Sequence, residues 1–222
     1  MRTCTQNINA DGRKLSAKLV SGANALTGIT TLQYSLESSG EITIGATPSA
    51  NIKVTMPTPS MNISGVEFTH FMSCNNEDVQ IGIFKVDTIE KRNNTITFTA
   101  YDRMYHKTKQ EYKSALTYPT SMQSVMNEVC SQSGLSTVTL DSDPQLQADV
   151  LSGYTCRDAI GYIAGYQGKN AIIDSSGNLV FRWYTDCSYT ADRYKANIPR
   201  ADEANTVIQY VICSNGDETF KS

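Results

Sequence analysis

The sequence of 222 residues carries 19 Lys and Arg against 22 Asp and Glu, a net charge of −3. There is no cationic surplus to neutralise a phosphate backbone, so nucleic-acid binding is not expected. Charged residues are 18% of the chain, below the roughly one quarter of a typical globular protein. Ser, Thr, Asn and Gln supply the polarity instead, beside 12 Tyr and one Trp, a mixture that favours strands and long-lived surfaces over a charged, highly soluble cytosolic enzyme. The length allows one or two domains with cores of their own. The opening MRTCTQNINADG has no apolar stretch, and apolar runs such as Ala159–Tyr166 fall far short of a span, so neither a signal peptide nor a membrane segment is expected.

Residues 1–25 read as an N-terminal extension and residues 26–105 as a β-barrel-like domain. Within the latter, strands are predicted at Ile29–Leu36, Glu41–Ile44, Ala50–Met56, Val66–Cys74, Val79–Thr88 and Thr95–Tyr101. Ile52, Val54 and Met56 alternate with polar neighbours, as do Val66, Phe68, His70, Met72 and Cys74, the period of a strand with one buried face. Asn93-Asn94 suits a tight reversal. Six strands without a helical period point to a small antiparallel barrel or sandwich.

Residues 106–190 read as a small α/β domain. Met122, Val125, Met126, Val129 and Cys130 form one helical stripe, with capping-box spacing at Thr120 and Gln123 and an αL exit at Gly134. A short strand is predicted at Val138–Leu140 and a loop over Asp141–Val150. A second helix runs from Thr155, with Asp158 three residues on, to a stop at Gly168, and a hairpin pairs Asn170–Asp174 with Leu179–Tyr184. Residues 191–222 read as a connector and the first hairpin of a second β domain, Thr206–Cys213 and Glu218–Phe220. An isolated hairpin is marginal in water, so this hairpin is expected either to complete the first barrel or to open a further domain that the sequence does not contain. The fold class is therefore α+β and mostly β.

No residue set carries a recognisable chemistry, and no catalytic, cofactor-binding or metal-binding residue is assigned. The two histidines, His70 and His106, fall in different predicted elements, and neither has an acid and a nucleophile placed beside it. Both read as structural, His70 half-buried in a strand and His106 at a boundary. Gly168-Lys169-Asn170 lacks the upstream Gly and following Ser or Thr of a phosphate loop, and it ends a helix instead of opening one. Asp141-Ser142-Asp143 lacks the Gly and Glu of a calcium loop. Cys4, Cys74, Cys130, Cys156, Cys187 and Cys213 include no C-x-x-C pair, and they read as reduced thiols, Cys130 and Cys156 as small hydrophobes. Arg157, Asp158, Arg182 and Asp186 read as ion pairs or ordinary surface charges. Trp183, beside Phe181 and Tyr184, reads as packing more than as a sugar platform.

The order of segments carries more. Gly82, Phe84, Val86 and Asp87, then Thr99–Met104, then Leu116-Thr117-Tyr118-Pro119-Thr120, then Thr155–Tyr184 and Val207–Asp217 resemble, in that order over residues 26–220, the hub proteins at the tail tip of long-tailed bacteriophages. This family includes the N-terminal region of tail-associated lysozymes and prophage endopeptidase tail proteins, and resembles the central protein of contractile-phage baseplates. The resemblance implies two related β-barrels with α/β insertions, assembled as a homotrimeric ring. It implies a virion tail-tip location after assembly in the host cytoplasm. The implied partners are a distal tail protein, a tape-measure protein and receptor-binding or tail-fibre proteins. Family enzymes carry their activity in modules beyond the hub, so no enzymatic role and no cofactor is expected here. The alternative is a tail-associated peptidoglycan endopeptidase whose catalytic module is missing or unrecognised here; it would use carboxylates or a Cys–His pair, and Cys74 is the only cysteine near a histidine, His70, in sequence. A third reading is a carbohydrate-binding module using Trp183.

Overall fold

The computed structural model describes residues 15–37, 43–74, 77–184, 212–214 and 217–219. Seven antiparallel strands form the main sheet: β1 (Leu15–Ser21), β2 (Asn24–Leu26), β3 (Thr31–Leu36), β4 (Ala50–Pro57), β5 (Glu67–Cys74), β6 (Glu77–Arg92) and β7 (Thr95–Tyr101), in the order β2-β1-β5-β6-β7-β4-β3. The chain is α+β and mostly β. Residues 15–25, assigned from the sequence to an extension, supply β1 and most of β2. Of the strand predicted at 41–44, residues 43 and 44 are not extended pairs and the others lie outside the described residues.

Hydrogen bonding leaves the sheet open between β2 and β3, yet topology forces it to curl. Laid flat, the edges of a seven-stranded sheet lie about 29 Å apart at ~4.8 Å per strand spacing. Here the two edge strands are consecutive, and the stretch from Leu26 to Thr31 can reach at most about 18 Å. One apolar cluster accordingly joins Leu19 and Leu26 at one edge to Leu32 and Ile52 at the other, around Phe68, Phe84, Val86, Ile96 and Phe98. Tyr34 of β3 meets Phe84 of β6 edge-on at 6.2 Å. The barrel-like form is therefore a curled sheet with an open seam.

Two corners make the curl. Strand β6, 16 residues long, pairs with β5 through residues 77–85 and with β7 through 85–92. Its pairing with β7 shifts register between Val86 and Thr88, leaving Asp87 as the extra residue of a bulge, the device that bends a strand. At the other corner Gly28, with φ 72°, lies in the region glycine enters freely, and it lets the chain pass from pairing with β1 to pairing with β4. A second irregularity lies between His70 and Phe71. Phe68 and His70, before it, are buried as the alternation predicts, whereas Met72, after it, is exposed. The β6–β7 turn places Asn93 at φ 49°, which Asn tolerates.

After β7 come α1 (Arg103–Lys107), β8 (Thr120–Ser121), α2 (Met122–Ser133), β9 (Gln145–Leu146), α3 (Cys156–Tyr166), β10 (Asn170–Ile173) and β11 (Leu179–Arg182). The stripe on α2 and its counterpart on α3, Ala159, Ile160, Ile163 and Ala164, pack into a second core with Met104 and Tyr112. Burying each large side chain contributes roughly 1.5–3 kcal/mol. Ser121, not Thr120, caps α2, accepting from the Ser124 N–H at 3.1 Å, because Thr120 pairs with Leu146 in the small β8–β9 ladder. Gly134 takes the left-handed exit, φ 63°. The capping box of Thr155 and Asp158 is present on α3. No strand forms at 138–140: the Gln123 amide binds the Val138 carbonyl at 2.8 Å and the Leu140 N–H at 2.9 Å, doing locally what a partner strand would do. The hairpin β10–β11 pairs Asn170 with Arg182 through Ile173 with Leu179. A separate unit, residues 184–222, contains the hairpin β12 (Ile212–Ser214) and β13 (Asp217–Thr219). The rest of the predicted strand at 206–213 lies outside the described residues.

Candidate functional site

The residues singled out by chemistry do not converge. His70 is 1% exposed, and neither ring nitrogen has a hydrogen-bond partner. Its strand neighbours are Leu19 and Gly82, and burial pushes its pKa below the usual imidazole value, so it sits neutral in the strand core. His106 lies outside that core, its Nε2 3.1 Å from the Lys85 carbonyl oxygen and its ring edge-on to Tyr105. Cys130 and Cys156 are buried, and burial raises the Cys130 thiol to about 11, far from a ready thiolate. Asp141 pairs with Lys169, and Asp143 accepts the Gln123 N–H at 2.7 Å at the start of α2. Gly168 follows α3 with φ 66°. Phe181 packs on the helical core and Trp183, one residue past β11, is partly exposed. Asp186 lies outside the described residues. Among the described residues no three His, Cys, Asp or Glu side chains gather as a metal site, and no helix is long and apolar enough to cross a membrane.

What the fold does build is a tight junction between strand core and helical core. The segment 43–49 crosses α3, where a Cβ on Gly161 would stand 2.8 Å from the Gly45 carbonyl oxygen and one on Gly165 3.4 Å from the Gly45 Cα. At Gly161 only glycine permits so close an approach. The same segment bonds the hairpin: the Gly45 N–H donates to the Lys169 carbonyl at 2.9 Å, Ala46 N–H to Asn170 Oδ1 at 2.9 Å, and Ala171 N–H to the Ala46 carbonyl at 2.9 Å. Arg157 donates to the Thr47 carbonyl through Nε at 3.0 Å and Nη2 at 2.6 Å and pairs with Glu37. Glu37 in turn accepts the Ser49 N–H at 3.0 Å.

Two further ties flank it. Buried Asp102 accepts the Ala50 N–H at 2.7 Å and caps α1 through the Tyr105 N–H at 3.2 Å. Its burial outweighs those bonds and raises its pKa. Arg103 holds Glu67 of β5 at 2.7 Å and the Gly177 carbonyl at 3.1 Å, and the Arg103 hydrogen bond lowers the Glu67 pKa. Sequence reasoning missed these residues, apart from Arg157, because each bridges positions far apart in the chain.

Two exposed surfaces remain. The first lies on the outer face of the sheet and on α1: Tyr101 stacks on Tyr105 at 4.0 Å, Lys109 lies 3.4 Å over the Tyr105 ring, and the register sets Lys85 opposite Tyr101 and Lys53 opposite Thr99. Lys107 completes it, donating to the Gly134 carbonyl at 2.7 Å. The second is the outer face of α3. There Tyr162 and Tyr166 are 55% and 58% exposed, and Tyr154, 46% exposed, meets Tyr162 edge-on at 5.2 Å. Asp158 lies one turn before Tyr162, and Tyr154 is the first cause of the raised Tyr162 pKa. In addition, β3 offers an edge with no partner strand among the described residues.

No protein-family model and no curated protein matches the sequence. The fold is similar to solved structures of tail proteins. The 43 kDa tail protein of prophage MuSo2 from Shewanella oneidensis aligns with a TM-score of 0.51 and 17% identity, over 75% of this chain and 53% of that one. The tail protein from Neisseria meningitidis MC58 aligns with a TM-score of 0.54 and 12% identity, over 77% of this chain and 50% of that one. The chain thus spans about half the length of these proteins.

Proposed function

We propose that the chain is a structural component of a phage-type tail, acting at the tail tip as a hub whose work is self-association and docking. The observation that carries this reading is the fold shared over about three quarters of the chain with two tail proteins. The segment order that resembles tail-tip hubs supports the finer placement. So does the physical character of the surface: an open sheet edge at β3 and half-exposed tyrosines on α3 are features that assembled copies cover.

In this reading three copies form a ring that closes the tail tube, and the ring docks a distal tail protein, the tape-measure protein and receptor-binding parts. A ring of like copies removes free edges and needs one repeated contact. The role asks for no catalytic step from these residues. The endopeptidase alternative would need a base that substrate can reach, and His70 is sealed in the strand core. Gold-labelled antibody against the chain should mark one end of purified tail particles, the end away from the head. Label along the tube, or tails free of the chain by mass spectrometry, overturns the reading.

A further inference from the structure

We infer that the lysine–tyrosine surface on the sheet and α1 of one copy docks on the outer face of α3 of a second copy. The inference rests on the self-associating role proposed above and names the two surfaces that meet.

The two surfaces carry opposite net charge. Lys85 lies opposite Tyr101, Lys53 opposite Thr99, Lys109 over the Tyr105 ring and Lys107 on α1 beside them; of the acids close by, Glu67 is held by Arg103, Asp102 is buried under the α1 cap, and Asp87 stands exposed on β6. The net charge of the chain is −3, and these four lysines are positive, so everything else carries −7. A second copy is therefore an acidic partner for this surface. The outer arc of α3 holds only Asp158, Tyr162 and Tyr166, with Tyr154 packed beside them, and no cation stands on it. Arg157, one position away, points to Thr47 and Glu37 instead.

Both surfaces also have the composition of interface centres. Tyrosine is enriched there because it buries a large rigid area and keeps a polar tip. The row Tyr154, Tyr162, Tyr166 leaves about half of each ring in water, where a lysine of the partner could lie over a ring as Lys109 already lies over Tyr105. Unlike surfaces meeting in this way make a heterologous contact, the kind that propagates around a ring.

The experiment uses the full chain in two forms, Lys85→Glu/Lys109→Glu and Tyr162→Lys/Tyr166→Lys, the second leaving the Asp158 cap intact, sized by light scattering after gel filtration. Circular dichroism checks folding, and Lys85→Gln/Lys109→Gln serves if the first form folds poorly. The wild type should associate, more weakly in high salt, and each variant alone should lose affinity by at least about tenfold. Mixed, the unaltered surface of each variant finds its native complement on the other, and across the altered pair Glu again faces Lys, so the mixture should regain association that neither variant shows alone. A monomeric wild type, variants that assemble like it, or a mixture that stays monomeric overturns the inference. So does a wild type whose lysine surface binds polyglutamate while self-association ignores the substitutions. Failure here leaves the tail reading to the labelling experiment, and unlabelled tails leave this contact measurable.

Discussion

The strand core and the helical core dispose of polar groups in different ways. Around the helices nearly every break in the backbone ladder is met by a side chain: Glu128 accepts from Ser114 and Ala115, Gln123 holds 138–140, and Ser121 and Thr155 cap their helices. The strand core instead satisfies its backbone by long-range pairing, and among the described residues it holds one unmatched side chain, His70. The lesson is that the helical region is pinned locally, residue by residue, while the sheet depends on closing all at once. The junction at Gly45 and Arg157 makes each lean on the other.

The largest effect should come from Phe98→Ala, which empties the middle of the strand core and should cost about 4 kcal/mol. Fluorescence of Trp183, which follows the helical hairpin, should then lose its native signal in the same thermal transition as the β-sheet circular dichroism. Two separated transitions would show that the regions do not lean on each other. Gly161→Ala should cost about 3 kcal/mol, because the new methyl meets backbone at 2.8 Å; calorimetry showing a loss under 1 kcal/mol would mean that segment 43–49 is loosely laid on α3. Asp102→Ala removes the α1 cap and the Ala50 tie and should cost roughly 2 kcal/mol, read by urea denaturation.

The smallest effect is one of pH. The His70 pKa is lowered by burial from 6.5, so its contribution to stability is complete above about pH 6.5 and is lost as pH falls from there through the depressed folded value. His70→Leu should flatten that part of the stability profile and gain roughly 1 kcal/mol at neutral pH by removing an unpartnered polar ring. An unchanged profile would show that His70 finds a partner in solution.

The sequence showed most plainly what depends on short-range pattern. The alternation in β4 and β7, the stripes on α2 and α3, the Thr155 box and the β10–β11 hairpin all follow from neighbours within a few residues. Strands β1 and β2 were lost to a supposed extension because Leu15–Ser21 mixes Ser, Ala and Lys with few large apolar residues, and only pairing with β5 makes it a strand. The extra length of β6 was hidden because Asp87 and the polar stretch after it break the alternation, which a bulge accommodates. Nothing in local sequence shows that Gly45 will meet Gly161, or that Asp102 will hold Ala50. The strand expected at Val138–Leu140 failed because Gln123 competes for the same backbone groups.

The short link through Gly28 has a mechanical meaning. The girth of the sheet is held by hydrogen bonds everywhere except between β2 and β3, where covalent chain spans the gap. A load that tries to widen the curled sheet meets an inextensible strap there, and must first shear the β3–β4 and β1–β2 ladders along their lengths before any strand can peel away. Shear loads many bonds together, whereas peeling takes them singly. Such a girdle resists any hoop stress that would widen the curl.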